Sequence, residues 1–292
     1  MNWLNGFNGK LREFAPLAEL TWFRVGGPAR WLVSPGSQTE LAETLGRAAD
    51  HGIPYKVLGA GANVLVSDDG FDGVVVRLDE PAFTSTDFDG HLVRAGGGVD
   101  LMDLTHVCAR RGLSGLEAMA GIPGTVGGAV RMNAGGRHGE LGQVVEGVTA
   151  VSERGAVVSL DRKELLFGYR SSNIGARIVV WATLRLVQSD PVQTMQRFRE
   201  YWAEKKRAQP LGDRSAGCVF KNPGGASAGA LIDQAGLKGY TRGGASVSAR
   251  HANFIVTAPH ATAAHVRAVI DHVRDEVVRR CGVELELEID IW

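Results

Sequence analysis

Glycines cluster at two places where a backbone could grip a phosphate group. One is Gly59-Ala60-Gly61-Ala62-Asn63; the other is Gly121-Ile122-Pro123-Gly124-Thr125-Val126-Gly127-Gly128, with Gly26-Gly27 upstream. A dinucleotide needs peptide N–H groups close to its pyrophosphate, and glycine, lacking a Cβ, permits that approach. The second loop adds the hydroxyl of Thr125. A single loop of this kind is most often a tight turn, but two of them with a third glycine pair favour a nucleotide cradle. The first is not a Rossmann fingerprint, in which the loop feeds straight into a helix. Val64-Leu65-Val66 follows the first loop and is a poor helix start.

Other chemical patterns are weaker. Gly225-Ala226-Ser227-Ala228-Gly229 has the spacing of a nucleophile elbow, and Ser227, Asp233 and His251 follow in hydrolase order. An elbow needs a strand, a sharp turn and a helix in succession, and Pro223-Gly224 interrupts that succession. His265 and His272 lie seven residues apart with no third ligand and no H-E-x-x-H, so no metal is expected. Cys108, Cys218 and Cys281 are odd in number and far apart, without a C-x-x-C pair. Reduced thiols in a cytoplasmic protein are the expectation.

The elements that must carry the loops follow from periodicity. Ser37-Gln38-Thr39-Glu40 has capping-box spacing, and Leu41, Leu45 and Ala48 continue at helical intervals until Gly52 and Pro54. Strands are expected at Tyr55–Leu58, Val64–Ser67 and Val74–Val76, then at Leu92–Ala95, 144–151, 157–160 and 178–187. Helices are expected from about Asp100 to Arg110 and from Pro191 to Lys206, with an irregular glycine-rich stretch from Gly112 to Gly139. Val266, Val269, Ile270, Val273 and Val277 mark one apolar helix face. Val283 to Ile291 alternates apolar and acidic residues, as a half-buried strand would.

A chain of 292 residues suggests about two domains, with three small ones allowed. Three regions are expected: 1–79, 80–188 and 189–292. Lys+Arg and Asp+Glu are equal at 32 each, which excludes a general electrostatic footprint for nucleic acid or an anionic membrane. The start Met1-Asn2-Trp3-Leu4-Asn5-Gly6 does not read as a signal peptide, and no run approaches the ~20 apolar residues of a membrane span. A cytosolic monomer is expected.

At the glycine loops the chain resembles the UDP-N-acetylenolpyruvoylglucosamine reductase family. The resemblance rests on Thr21-Trp22-Phe23-Arg24-Val25-Gly26-Gly27-Pro28-Ala29, Leu58 to Asn63, Gly115-Leu116-Glu117 and Ala120 to Ala129. It continues through Met132-Asn133-Ala134-Gly135, Tyr169-Arg170-Ser171-Ser172, Phe220-Lys221-Asn222-Pro223, Gln234 to Gly239 and His251-Ala252-Asn253-Phe254. The ordered set spans nearly the whole chain, which makes it specific. The resemblance implies an α+β protein. Its first two regions would form an FAD-binding fold of the vanillyl-alcohol-oxidase type, and its third a C-terminal α+β substrate domain. The short connection after Tyr169 resembles the shorter subfamily. Gly59, Gly61, Ala62, Asn63, Gly121, Ile122, Gly124, Thr125 and Gly128 would then contact FAD.

The family reaction implied is reduction of an enolpyruvyl ether on a UDP-aminosugar to a lactyl ether, a peptidoglycan precursor step with NADPH as co-substrate. Hydride arriving at the methylene carbon pushes electron density toward the carboxylate. A fixed guanidinium there stabilises the transition state more than the ground state, and Arg170 matches the family arginine. The family proton donor is a serine, where this chain has Cys218. Thiols ionise near ~8.5, so a cysteine can still donate at neutral pH. Glu288 matches the family's C-terminal glutamate, although Asp290 stands where an arginine is common. Tyr169, Lys221 and Asn222 are expected at the substrate, Asn222 near its diphosphate, and Gly239 to Gly244 are expected to shape the sugar or nucleotide pocket. Two alternatives stay open: a relative that binds FAD or nucleotide sugar without turnover, and a flavin oxidase on the same fold.

Overall fold

The computed structural model of the chain describes Trp3, Leu4 and residues 7–292. Met1, Asn2, Asn5 and Gly6, which enter the reading of the N-terminus, lie outside the described residues. The chain forms two compact units, each assembled from separate stretches. The first takes residues up to Glu13, Trp31–Ala60 and Asp72–Glu204; the second takes Phe14–Arg30, Gly61–Phe71 and Lys205–Trp292.

Two sheets organise the first unit. One has four strands in the order Lys10–Pro16, Pro28–Ser34, Phe71–Val76, Tyr55–Val57, the last two parallel. The other is antiparallel throughout, in the order Val157–Asp161, Val145–Val151, Ile178–Arg185, Leu92–Gly96, Thr86–Asp89. The helix Gln38–Asp50 buries Leu41, Leu45 and Ala48 beneath the first sheet's Val33, Val74 and Val76. Ser37 caps it by accepting the Glu40 N–H at 3.2 Å. The Glu40 carboxylate does not complete a capping box; it takes the Gly36 and Asn8 N–H groups, at 2.6 and 2.9 Å.

Helix Leu101–Arg110, capped by Asp100, packs Leu101, Leu104 and Cys108 on Val93, Val148 and Ala182 of the second sheet. The stretch read as irregular contains a further helix, Val126–Arg131. Its glycines are helix breakers by propensity, yet they let it pack closely. A Cβ on Gly127 would stand 2.9 Å from the Gly97 carbonyl oxygen, and the Gly127 N–H donates to that oxygen at 2.8 Å.

Glu117 anchors helix Pro191–Ala208 within this unit. The carboxylate is 5% exposed and accepts from Gly115 N–H at 2.6 Å, Ser114 hydroxyl at 2.9 Å and Arg197 Nε at 3.0 Å. Burial pushes its pKa up, but these bonds outweigh burial and hold it below the ordinary carboxyl value. A depressed folded-state pKa means stabilisation present above the unfolded value and lost as pH falls through the folded one. Glu117→Gln is expected to lower stability by about 2 kcal/mol near neutrality. In thermal melts the gap should close below about pH 4; a gap of equal size in acid would contradict the assignment.

In the second unit, helix Ala263–Cys281 buries the expected Val266, Val269, Ile270, Val273 and Val277. Thr262 caps its start and Gly282, at φ 67°, ends it. Asp68 adds two bonds at the same end, accepting Ala263 and Ala264 N–H at 2.7 and 2.9 Å. The helix packs with the three-stranded sheet Thr241–Arg242, Ala245–Val247, Ile255–Thr257 around Phe23, Val219, Phe220 and Leu285. The expected strand from Val283 to Ile291 is not one ladder. Leu287 bridges Phe220 antiparallel, and Asp290–Ile291 pairs in parallel with Val64–Leu65. Leu285 and Ile289 are buried as the alternation requires, but the segment changes partner along its length.

Candidate active site

The two glycine loops meet in the first unit. A Cβ built on Gly59 would stand 2.7 Å from Thr125 Oγ1, so Gly59 is the contact between them. The N–H groups of Gly59 and Ala60 have no hydrogen-bond partner among the described residues, nor do those of Gly124 and Thr125. Open space lies beside Gly124, which takes φ 145°. In the second unit the N–H groups of Gly61, Ala62 and Asn63 likewise lack a partner among the described residues. Peptide N–H groups of this kind fit a pyrophosphate; no helix follows Gly59–Asn63, whereas Thr125 caps helix Val126–Arg131. The second loop offers less than its composition suggests. Gly121 N–H is taken by Met102 Sδ at 3.2 Å and Ile122 N–H by Met119 O at 2.9 Å. Gly128 N–H faces Thr125 Oγ1 at 3.4 Å.

Gly61 is irreplaceable for two reasons. It takes φ 67°, and a Cβ would fall 2.1 Å from the Leu20 carbonyl oxygen. Gly90 has a similar φ of 57° with nothing within 4 Å, so it isolates strain from collision. Gly90→Ala is expected to lower stability by about 1 kcal/mol, the left-handed penalty alone. Gly61→Ala should lose distinctly more and shed bound flavin. Equal melting shifts for the two would contradict this.

Arg170 sits at the tip of a two-residue hairpin between Phe167–Gly168 and Ser171–Ser172. Its φ is 52°, a region non-glycine residues seldom occupy. Its Nη2 donates to Gly135 O at 2.9 Å, and its guanidinium carbon lies 5.0 Å from the centroid of the Tyr169 ring. Tyr169 is exposed. Beneath the hairpin lies Asn133, buried and also left-handed at φ 46°. Its Nδ2 donates to Gly168 O at 2.9 Å and to Glu140 Oε2 at 2.7 Å, while its Oδ1 accepts Gly142 N–H at 2.9 Å.

The second unit brings the segments of Cys218 and Glu288 side by side through an isolated bridge. Phe220 faces Leu287 in an antiparallel bridge, and Glu288 N–H donates to Val219 O at 2.8 Å. That register sets Glu288 across from the residue next to half-buried Cys218. Asn253, 3% exposed, clamps the same segment from the other side. Its amide accepts Phe220 N–H at 2.9 Å and donates to Phe220 O at 2.7 Å, and its own carbonyl takes Val219 N–H at 2.9 Å. Asn63 fixes the backbone of Glu288 in turn, donating from Nδ2 to its carbonyl at 3.0 Å. Lys221 forms an ion pair with Glu286. The Asn222 side-chain oxygen accepts Ala228 N–H at 2.9 Å, capping the helix Ala228–Gln234.

Asn133 and Asn253 belong to motif segments, but their positioning bonds carry no sequence signal. An amide is mostly found exposed, and nothing local says that these two will be buried. The left-handed tolerance of asparagine is the one hint for Asn133.

The residues set aside have structural duties. Ser227 caps the helix Ala228–Gln234, with Oγ accepting Ala230 N–H at 3.3 Å. His265 Nδ1 accepts N–H bonds from Thr262 and Gly244, both at 3.3 Å. His272 stacks on Tyr240 with ring centroids 3.9 Å apart. A cleft of ≈ 540 Å³ in the second unit is lined in part by Arg214, Thr241, Gly243, Gly244, Ser246 and His260. It includes part of the polar run expected to shape a sugar pocket, but none of Cys218, Lys221, Asn222 or Glu288 lines it.

Comparison with known proteins gives both a family and a fold. The FAD binding domain family matches residues 29–161, and the family described as UDP-N-acetylenolpyruvoylglucosamine reductase, C-terminal domain, matches residues 209–292. UDP-N-acetylenolpyruvoylglucosamine reductase 2 of Symbiobacterium thermophilum is 43% identical over 286 residues, covering 97% of this chain and 92% of the relative. The reductase of Methylorubrum populi is 42% identical, covering 96% and 91%. The crystal structure of the Thermus caldophilus reductase superposes with a TM-score of 0.85 at 40% identity, covering 98% of this chain and 99% of that one. A glucose oxidase variant of Phl p 4 shares only the fold, with a TM-score of 0.50 at 16% identity over 62% of this chain and 42% of that chain. The fold is thus the vanillyl-alcohol-oxidase type seen in flavin enzymes. With identity of this order running the length of both chains, the protein belongs to the UDP-N-acetylenolpyruvoylglucosamine reductase family.

Proposed function

We propose that this chain is an FAD-dependent reductase that converts the enolpyruvyl ether of a UDP-linked N-acetylglucosamine to the lactyl ether, UDP-N-acetylmuramate, with NADPH as reductant, in peptidoglycan precursor synthesis. The observation that carries the reading is the register of Phe220 against Leu287, which sets Glu288 across from Val219, next to Cys218, in a chain whose Arg170 stands at the tip of a hairpin. In this reading residues 1–79 and 80–188 hold FAD, and residues 189–292 take the nucleotide sugar. The separate matches to residues 29–161 and 209–292 support that division.

When bound, FAD supplies the two-electron relay from NADPH to the enolpyruvyl methylene carbon. In the first unit the N–H groups of Gly59, Ala60, Gly124 and Thr125 would hold its pyrophosphate, with Gly121, Ile122 and Gly128 shaping the second loop; Gly61, Ala62 and Asn63 would contribute cofactor contacts of their own. Arg170 stabilises the negative charge that develops on the substrate carboxylate as the methylene carbon becomes a methyl group. Cys218 gives its thiol proton to the carbon bearing the ether oxygen, and the thiolate is reprotonated from water. Glu288 assists that transfer from the segment bridged to Phe220. Tyr169, Lys221 and Asn222 orient the substrate, Asn222 toward the diphosphate.

Each chain carries every residue named, so a monomer suffices. NADPH and a nucleotide sugar are metabolites of the cytosol, and the three free cysteines suit that compartment.

The test is product analysis in heavy water. With NADPH and the UDP-linked enolpyruvyl aminosugar, the yellow protein should form the lactyl ether with deuterium at the carbon bearing the ether oxygen, one NADPH consumed per product. NADPH oxidation that consumes oxygen and leaves the sugar unchanged would point instead to an oxidase and sink the proposal.

A further inference from the structure

We infer that Asn133 is a positioning residue for the reaction, acting through Arg170; the inference rests on the role proposed for that arginine. Arg170 is held in a backbone conformation it would not choose, at φ 52°. Three bonds join its hairpin to the segment 131–135. Ser172 Oγ donates to Arg131 O at 2.7 Å, Asn133 Nδ2 to Gly168 O at 2.9 Å, and Arg170 Nη2 to Gly135 O at 2.9 Å. The middle bond comes from a buried side chain, Asn133 being 1% exposed. It grips the residue at which the chain enters the turn, and so sets where Tyr169 and Arg170 begin.

The Asn133 amide is itself fixed. Its second Nδ2 proton goes to Glu140 Oε2 at 2.7 Å and its oxygen receives Gly142 N–H at 2.9 Å. Glu140 in turn belongs to a capping box that includes Gln143. Asn133 thus reads the position of the short hairpin Gly135–Gly136 with Gly139–Glu140 and transmits it to Gly168. An aspartate would keep the bond to Gly142 but lose both donors. A leucine would fill the volume but break the bond to Gly168 O and orphan the N–H of buried Gly142, a group that needs a partner. Asparagine also tolerates the φ of 46° better than other side chains that carry a donor and an acceptor.

A group that places a guanidinium affects only the step in which the guanidinium acts. Asn133→Gly suits the backbone and removes the amide. The flavin should still be bleached by NADPH at a rate within about twofold of the parent, while reoxidation by the enolpyruvyl substrate slows on the order of 10²-fold, the usual consequence of misplacing a reacting group. Asn133→Asp combined with Glu140→Gln guards against simple misfolding. It preserves an amide–carboxylate pair at Glu140 and the bond to Gly142, leaving only the Gly168 contact unmade, and it should show the same selective loss. Adding Asn133→Gly to Arg170→Ala should slow reoxidation no further than Arg170→Ala alone, because the asparagine acts through the arginine. Equal slowing of both half-reactions, an unchanged reoxidation rate, or full additivity with Arg170→Ala would overturn the inference. If Arg170→Ala itself leaves reoxidation at the parent rate, the role of Arg170 falls first, and this inference with it.

Discussion

Arg170→Ala is expected to slow substrate-driven reoxidation of the flavin by about 10²- to 10³-fold, the loss typical of removing one preorganised group from a developing anion. Reduction by NADPH should be unaffected. The backbone sharpens the prediction. Arg170 lies at φ 52°, where a side chain costs about 1–2 kcal/mol. Arg170→Gly should therefore lose the same activity while its stability stays within about 1 kcal/mol of the parent, relief of strain offsetting the lost bond to Gly135. Arg170→Lys keeps the charge but not the planar fork, and should fall between parent and alanine. Single-turnover kinetics with melting curves on the same preparations check all three. A glycine variant that kept its activity would remove the arginine from the chemistry.

Cys218→Ala should lose about 10²- to 10⁴-fold in turnover, the range for removing a general acid. Cys218→Ser should keep most of it, since the hydroxyl is the donor the family resemblance implies at this position. The thiol is half-buried in a segment held by backbone bonds from Asn253, Glu286 and Glu288. Neither substitution removes those bonds, so both variants should fold and retain flavin. Undiminished turnover by Cys218→Ala would mean that another group delivers the proton. A serine variant as slow as alanine would mean that this chain has come to depend on sulfur.

Much of this arrangement is legible in the sequence where the signal is local. Ser37 and Asp100 announce the starts of their helices, and five valines and isoleucines at helical spacing define the buried face of Ala263–Cys281. Leu285 and Ile289 are buried as their alternation demands. What alternation does not encode is the partner, so the change from Phe220 to Val64–Leu65 along that segment is invisible. The same holds for Gly61–Phe71, which folds with residues 205–292 through bonds such as Asp68 to Ala263. Helix Val126–Arg131 escapes because tertiary packing overrides the propensity of Gly127 and Gly128.

The site divides the same way. Glycine loops advertise themselves because only glycine allows the φ of Gly61 and the approach of Gly59 to Thr125. Arg170, Cys218 and Glu288 are ordinary residues in isolation and are singled out by family motifs. The asparagines that hold them, Asn133, Asn253 and Asn63, are defined by bonds to residues 33 to 225 positions away in chain for all but the nearest contacts. No window along the sequence contains such a bond.

In the proposed reaction one chain takes electrons from NADPH and passes them to an enolpyruvyl nucleotide sugar. Anaerobic stopped-flow on the purified protein tests it most directly, following the flavin band near ~450 nm while NADPH and then the UDP-linked enolpyruvyl aminosugar are added. NADPH should bleach the band rapidly, and the sugar should restore it in full. Flavin that bleaches and stays reduced in the presence of the sugar would contradict the proposed reaction, leaving a flavoprotein of this fold with a different electron acceptor.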